Sequence, residues 1–327
     1  MHLYKKITIF TLEMKTVSII IPVYNRANLV MRTLQTVVDQ TYRPLQIVLV
    51  DNFSTDDTLV VLNQFKIDNN APDFEVIVTQ EKLHTASAAR NRGMQFANGE
   101  YLMFFDSDDL MERRLVQKYV DAFESSPQKV DIVMTRRNLV NDIGEKTAMP
   151  IFKKDLIANH ILHSVMATQA FCARRDFIKD KEWNNNILQW DDFEYGLRLL
   201  LTKPVVGYLD GKPRVDVIFG GENSITGTNF SSNHGKWEVA LRTMVLDIKN
   251  SSLLNKQRYY DLLYYRLLVL AAHYHREGHP EYAKPTAQKA YSVLNRKWIY
   301  RKVMPRLFKR IVRGKRGSAR IARWIIK

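Results

Sequence analysis

Through its first half the chain alternates short apolar runs with stretches of helical spacing. Val17-Ser18-Ile19-Ile20-Ile21-Pro22-Val23-Tyr24-Asn25 is β-branched, nearly all apolar, and interrupted by Pro22. It reads as a buried parallel strand. Arg26 to Gln40 then places apolar residues at helical intervals. Leu45 to Val50 and Phe74 to Thr79 read as two further buried strands. Ser54 or Thr55 can cap the helix between them. Thr85 to Ala97 reads as a helix ended by Asn98-Gly99, and Tyr101 to Phe105 as a fourth strand. Leu115 to Glu124 continues the pattern as a helix and Val130 to Thr135 as a strand. Strands alternating with helices in this way predict βαβ units and a mainly parallel sheet.

The second half is less regular. Asn141-Asp142-Ile143-Gly144 is a turn, and a helical piece is expected around Asp155 to His163. Trp190 to Leu201 carries Phe193, Leu197 and Leu200 at helical spacing. Val205 to Leu209 and Arg214 to Phe219 flank Asp210-Gly211-Lys212-Pro213, which reads as a hairpin. After Gly220-Gly221, residues 235–293 are helical throughout. The expected architecture is an α/β fold, a Rossmann-like, mainly parallel sheet flanked by helices, with a C-terminal helical extension. Its divisions are an N-terminal extension over 1–15, the sheet domain over 16–228, a helical region over 229–295 and a tail over 296–327. Met14-Lys15-Thr16 reads as an alternative translation start.

With 327 residues, 46% of them hydrophobic, the chain can build a sizeable core. The single cysteine, Cys172, excludes an intrachain disulfide and fits a reducing compartment. As a side chain it reads as a small buried hydrophobe. No apolar run reaches the roughly 18–20 residues of a membrane span. The formal charge of +15 is uneven: Arg296 to Lys327 holds 13 Lys and Arg and no Asp or Glu. Subtracting 13 from 15 leaves only +2 on the rest.

Candidate chemistry sits at strand ends. Asp106-Ser107-Asp108-Asp109 follows the fourth strand, where open α/β sheets bind ligands. Carboxylates at this spacing can converge on a hard cation. They can equally cap a helix beginning at Leu110-Met111-Glu112. Asp51 ends the second strand and can accept from a base edge or a ribose hydroxyl. Arg90, in the helix after the third strand, can serve a base carbonyl or a diphosphate oxygen. Asp191 and Asp192 stand at a helix start, which suits the dipole whatever else they do.

Four features fall in order: Ile21-Pro22-Val23-Tyr24-Asn25, the acidic turn at Asp51, Ala88-Ala89-Arg90-Asn91-Arg92-Gly93, and Asp106-Ser107-Asp108-Asp109. Together they resemble the nucleotide-sugar domain of family 2 glycosyltransferases, which have the GT-A fold. The resemblance covers roughly residues 16–225. It implies inverting transfer of a sugar from a nucleotide-diphosphate donor, with UDP as the expected nucleotide. It also implies a divalent metal, Mn²⁺ or Mg²⁺. On it, Pro22, Tyr24, Asn25, Asp51, Arg90, Asp106 and Ser107 contact the nucleotide sugar, and Asp108 with Asp106 holds the metal. Asp109 is left as a supporting acceptor or a helix cap. Trp190-Asp191-Asp192-Phe193-Glu194-Tyr195-Gly196-Leu197-Arg198 resembles the family's acidic pair followed by Arg. Asp192 is the expected base and Asp191 the alternate, with acceptor orientation or loop positioning as its other roles. Trp190 stacks on an acceptor sugar or packs in the core. Arg198 is expected to hold its helix by an ion pair.

Three departures stand out. No glycine lies near Thr85-Ala86, where many members of that family carry one, so a different path is expected for the loop before that helix. Asn52 replaces a second acid common in the family, and no histidine follows the last strand, where Ile218 to Thr226 runs without one. His234 lies further on and can fold over the donor.

The tail repeats Trp298, Ile299, Val303, Met304, Leu307, Phe308, Ile311 and Val312 at helical spacing, with Lys and Arg between. Pro305 should kink or restart this helix, and Gly314 and Gly317 should break it. A basic amphipathic helix can lie on an anionic bilayer. Alternatively its apolar face packs on the catalytic domain. Nucleic acid is not the expected partner, because no recognised binding fold accompanies the charge. The leading expectation is a glycosyltransferase of bacterial polysaccharide synthesis, peripheral on the cytoplasmic face of the membrane. Its acceptor would be a glycan or lipid-linked hydroxyl. A nucleotidyltransferase lacks support, because the chain has no Gly-rich phosphate loop with an activating lysine. A non-catalytic nucleotide-sugar-binding or membrane scaffold of the same fold would not need Asp108 and the Asp191-Asp192 pair intact.

Overall fold

The computed structural model describes residues 14–218, 229–294, 298–314 and 317–326. The N-terminal extension up to residue 13 and the segment 219–228 after the last strand lie outside them.

β1 (Val17–Val23) forms where its apolar run predicts, with only Pro22 short of full burial. α1 (Val30–Val38) starts later than its spacing suggests. The cause is local: the Arg26 and Ala27 amides donate to Thr58 Oγ1 and Asp56 Oδ2, at 2.8 and 3.2 Å, instead of entering a helix. β2 (Leu45–Asp51), α2 (Thr58–Asn69), β3 (Phe74–Gln80), α3 (Ala86–Phe96) and β4 (Tyr101–Phe104) follow as expected. β1, β2, β3 and β4 pair parallel. The expectation that Ser54 or Thr55 caps α2 fails. The Thr58 amide donates to Asp56 Oδ1 at 3.0 Å, while Ser54 and Thr55 serve Asn25.

Alternation explains why the strand runs are apolar throughout. Ile19, Ile21, Ile47 and Leu49 face one core with α1, while Ile20, Val48 and Val50 face the other with α3. Burying each such side chain contributes about 1.5–3 kcal/mol. Asn98-Gly99 ends α3 for a steric reason. A Cβ at Gly99 would stand 2.7 Å from the Thr16 carbonyl and 2.8 Å from the Ser18 amide.

Next come β5 (Leu110–Met111), α4 (Leu115–Glu124), β6 (Ile132–Met134), β7 (Arg137–Val140), β8 (Lys146–Ala148), α5 (Leu156–His163), β9 (Phe171–Arg174), α6 (Arg175–Ile178), α7 (Asp191–Leu201), β10 (Val206–Tyr208) and β11 (Val215–Ile218). The larger sheet has the order β10-β6-β9-β4-β1-β2-β3, with β9 antiparallel to both neighbours. Cys172 lies buried in β9. A second sheet has the order β5-β11-β7-β8. The expected hairpin of β10 and β11 does not exist. β10 pairs parallel with β6 and β11 parallel with β7, so the 210–213 turn carries the chain from one sheet to the other.

The C-terminal helices are α8 (Lys236–Asn250), α9 (Lys256–Arg276), α10 (Pro280–Leu294), α11 (Trp298–Val312) and α12 (Ser318–Ile325). They share an apolar core with Ala158, Ile161 and Leu162 of α5 and Phe193 and Leu197 of α7. α11 runs through Pro305 as one helix, so no new helix starts there. Gly314 and Gly317 break the chain as expected, at φ +66° and +88°. Met304, Leu307 and Ile311 are buried against this helical core. These three side chains of the tail thus pack on the helical region and are not free for a bilayer. Among the described residues no helix is long and apolar enough to cross a membrane.

Candidate active site

The carboxyl ends of β1, β2 and β4 open on one crevice. The chain builds β2 and β3 on one side of β1 and β4 on the other, so the crevice lies at a topological switch point.

One wall comes from the ends of β1 and β2. Asn25 sits at φ +49°, a conformation its short amide side chain tolerates. Its amide donates to Ser54 Oγ at 3.0 Å, and its Oδ1 accepts from the Thr55 amide at 2.8 Å. Asp51 is wholly buried and accepts from the Ser54 amide (3.2 Å) and Gln80 Nε2 (2.9 Å). Asn52 donates to the carbonyls of Glu81 (3.1 Å) and Leu83 (2.8 Å). A carboxylate could do neither, which accounts for an amide at this position. Tyr24 and Phe53, 48% and 45% exposed, each meet the His84 ring edge-on at 5.8 Å. The sequence reading missed Phe53 and His84. An aromatic residue stranded in the polar turn after Asp51 was the available signal.

The acidic turn is pinned from both sides. Thr33 donates to the Ser107 carbonyl at 2.9 Å and Arg32 to the Asp108 carbonyl at 3.0 Å. No helix begins at Leu110: β5 forms there, and α4 waits until Leu115. Asp109 is therefore no helix cap. It accepts from Gln169 Nε2 and from the Ile218 amide, the latter at 2.9 Å, tying the turn to β11. Gln169, which also donates to Asp106 at 2.7 Å, gave no signal in the sequence. Burial, then Asp106, raises the Asp108 carboxyl against Arg26, whose Nη2 lies 3.7 Å away. Burial, then Asp106 and Asp108, drives Asp109 well above the ordinary carboxyl range.

Arg90 joins this turn to the second acidic pair. Its Nη2 bonds Asp106 Oδ1 at 2.8 Å and its Nη1 bonds Asp191 Oδ2 at 2.6 Å. Burial alone would lower its ionisation, but Asp191 and Asp106 outweigh that and raise it. Its guanidinium lies 4.4 Å over the Trp183 ring, which stacks on Tyr195 at 4.0 Å. Trp183 was another residue the sequence reading did not single out.

α7 brings the acidic pair in. Asp191 Oδ2 also accepts from Ser87 Oγ at 3.2 Å, and its Oδ1 from the Asp192 amide at 3.0 Å. Burial, then the charge on Asp191, raises the Asp192 carboxyl to about 6. His160 on α5 holds the first turn of α7. Its Nε2 bonds the Phe193 carbonyl at 2.7 Å, and Nδ1 accepts from the Met166 amide at 3.2 Å. Burial lowers its pKa to about 4, so it is neutral. Gly196 allows this contact, because a Cβ there would stand 2.8 Å from both His160 Cε1 and Met166 Cβ. Arg198 bonds Glu194 one turn back, the structural role expected of it. Trp190 packs against Phe193, Phe230 and Trp237, with Arg266 over its ring at 5.2 Å. His234 stacks on Tyr282 of α10 at 4.0 Å.

Among the described residues no three His, Cys, Asp or Glu side chains are arranged to hold a metal ion unaided. Small divalent cations at phosphate sites need only one or two carboxylates, with phosphate oxygens and water completing the shell. The raised Asp108 carboxyl beside Asp106 marks negative charge that the protein itself leaves under-compensated. Oxygen donors of this kind fit a hard divalent cation.

Residues 18–182 match the sequence profile described as "Glycosyl transferase family 2". The poly(ribitol-phosphate) beta-glucosyltransferase of Bacillus spizizenii is 30% identical over 167 residues, 48% of this chain and 25% of that protein. The Escherichia coli UDP-Glc:alpha-D-GlcNAc-diphosphoundecaprenol beta-1,3-glucosyltransferase WfaP is 36% identical over 97 residues, 29% of this chain and 36% of that protein. The matched stretch thus spans well under half of each relative. The crystal structure of S. aureus TarS 1–349 in complex with UDP superposes with a TM-score of 0.60 at 16% identity, over 84% of this chain and 89% of that one. At that identity the likeness establishes the GT-A architecture. With the profile spanning half the chain and the fold in agreement, this protein belongs to glycosyltransferase family 2.

Proposed function

We propose that the protein transfers a sugar from a UDP-linked donor to a hydroxyl of a glycan or lipid-linked acceptor, inverting the anomeric carbon. The observation that carries this reading is the Arg90 bridge between Asp106 and Asp191, with Asp192 beside it. It sets a candidate donor-phosphate turn and a candidate base on one frame.

Tyr24, Asn25 and Asp51 with Pro22 form the nucleoside wall, and Phe53 and His84 extend it with aromatic edges. Asp106 and Ser107 meet the ribose side of the donor. Asp108, with Asp106, would hold Mn²⁺ or Mg²⁺. Held there, such a cation would supply positive charge to offset the charge developing on the departing diphosphate. Asp192 takes the proton from the acceptor hydroxyl as its oxygen bonds to the anomeric carbon and the carbon–phosphate oxygen bond breaks. Asp191 is the poorer base, because both its oxygens already accept bonds from Arg90, Ser87 and the Asp192 amide. Its part is to hold Arg90 and the start of α7. Trp190 serves the acceptor side through the aromatic cluster it anchors.

Relatives supply the substrate classes. The WfaP donor is UDP-Glc and its acceptor a diphosphoundecaprenol-linked sugar. The Bacillus relative acts on poly(ribitol-phosphate). A polymer or lipid-linked acceptor would place this enzyme at the inner face of the cell membrane. The test is a thermal-shift panel of UDP- and GDP-sugars with Mn²⁺, followed by UDP-release assays. A UDP-sugar should raise the melting temperature in a metal-dependent way. Stabilisation by GDP-sugars alone would overturn the donor assignment.

A further inference from the structure

Met304, Leu307 and Ile311 of α11 and Ala322 of α12 lie inside the protein, while basic residues of α11 face solvent. Arg306, Lys309 and Arg313 are exposed, and with Arg310 they recur at the three- and four-residue intervals of one helix face. Together the four line one cleft of about 310 Å³. The Arg310 guanidinium reaches the start of α12, 3.9 Å from where a Cβ on Gly317 would stand. On α12, Arg320 is exposed, and Trp324, 69% exposed, stands one helical turn further along. No Asp or Glu occurs anywhere between residues 296 and 327.

We propose that this face is a docking surface for anionic phospholipid. Headgroup phosphates enter the cleft of Arg306, Lys309, Arg310 and Arg313, and the Trp324 indole rests at the bilayer interface. This rests on the reading above that the enzyme works on a membrane-borne acceptor, and it names the part of the chain that makes the contact. Charge complementarity and the exposed indole select the occupant. Tryptophan is favoured at headgroup level, where one edge of the ring meets water and the other meets hydrocarbon. Because Met304, Leu307 and Ile311 stay in the helical core, the contact needs no insertion of α11. It is electrostatic first, and therefore reversible and screened by salt.

The test is co-sedimentation of the full chain with vesicles of phosphatidylcholine, with and without phosphatidylglycerol. Binding should require phosphatidylglycerol and fall steeply as salt rises. The triple variant Arg306→Gln, Lys309→Gln, Arg313→Gln should partition roughly a hundredfold more weakly, since each basic residue near an anionic surface contributes about fivefold. Trp324→Ala should weaken binding without changing its salt dependence. Both should release UDP from a donor in solution at the wild-type rate, which reports that the fold and the crevice are intact. Equal binding to neutral vesicles, or a triple variant that sediments like wild type, would overturn the proposal. So would capture of single-stranded RNA in preference to phosphatidylglycerol vesicles. Vesicle binding without UDP release would leave the docking surface standing and overturn the transferase reading instead.

Discussion

Replacing Asp192 with Asn should stabilise the protein while removing its activity. The carboxyl rises from its ordinary 3.8 to about 6, first through burial and then through Asp191. A tenfold change in ionisation equilibrium is about 1.4 kcal/mol, so the ionised form costs on the order of 3 kcal/mol of folding stability at neutral pH. The amide carries no charge and removes that cost. The sign follows from linkage. With a folded value above the unfolded one, protonation favours the fold. The advantage of Asp192→Asn is therefore full above about pH 6, shrinks between about 6 and 4, and disappears below. At pH 7 the melting temperature should rise on the order of 5 °C. Turnover should fall roughly 10²–10⁴-fold, the usual share of a general base. Thermal unfolding measured at pH 7 and pH 4, beside UDP release at pH 7, reads both effects. Undiminished turnover would remove Asp192 as the base. A variant less stable than wild type at pH 7 would refute the electrostatic argument.

Other perturbations probe separate parts of the frame. Asp108→Ala and chelation should each abolish UDP release; the variant should melt no lower than wild type, since burial already disfavours this carboxylate. A marked loss of stability would mean that Asp108 serves the fold. Trp183→Leu should loosen Arg90, lowering kcat by roughly ten- to a hundredfold through misplacement. Arg90 holds the Asp192 carboxyl down, so the acid limb of the kcat/KM profile should also move to higher pH. An unshifted limb would make Trp183 a packing residue only. Gly196→Ala should cost about 1–3 kcal/mol by urea unfolding, because its methyl would press on His160 and Met166. Wild-type stability would refute the close approach of α7 to α5.

The first half of the fold was legible because each of its strands carries enough apolar residues to fill both faces of a parallel sheet. Val17 to Val23 and Leu45 to Asp51 each pair along their full length, and no other reading of those runs buries them. β9 was not legible. Its four residues, Phe171–Arg174, form a central strand only because β4 and β6 flank it. The false hairpin had the same origin: the 210–213 turn is real, but pairing partners are chosen by the sheets and not by the turn. The site divides in the same way. The positions of Asp51, Asp106, Asp108 and the Asp191-Asp192 pair at strand ends and a helix start were readable because the flanking apolar runs mark where those elements begin and end. Gln169 and Trp183 were not, since they act through contacts 63 and 93 residues away along the chain, with Asp106 and Arg90 respectively.

Arg90 explains how such a crevice tolerates its own charge. Asp106, Asp191 and Asp192 gather around the buried Arg90 while Asp108 faces Arg26, and burial raises Asp108, Asp109 and Asp192 above their ordinary range. A buried ion pair is weak support for stability, but removing one partner leaves an uncompensated charge that costs several kcal/mol. Arg90 satisfies two carboxylates at once and is held from the other side by the Trp183–Tyr195 stack. Its short bonds go to Asp106 and Asp191, and Asp109 is tied up by Gln169 and the Ile218 amide, which leaves Asp108 and Asp192. These are the two carboxylates the proposed chemistry needs: one to bind a cation, the other to take a proton. The same burial that destabilises them supplies their reactivity, and Arg90 ties their chain neighbours, Asp106 and Asp191, to one another.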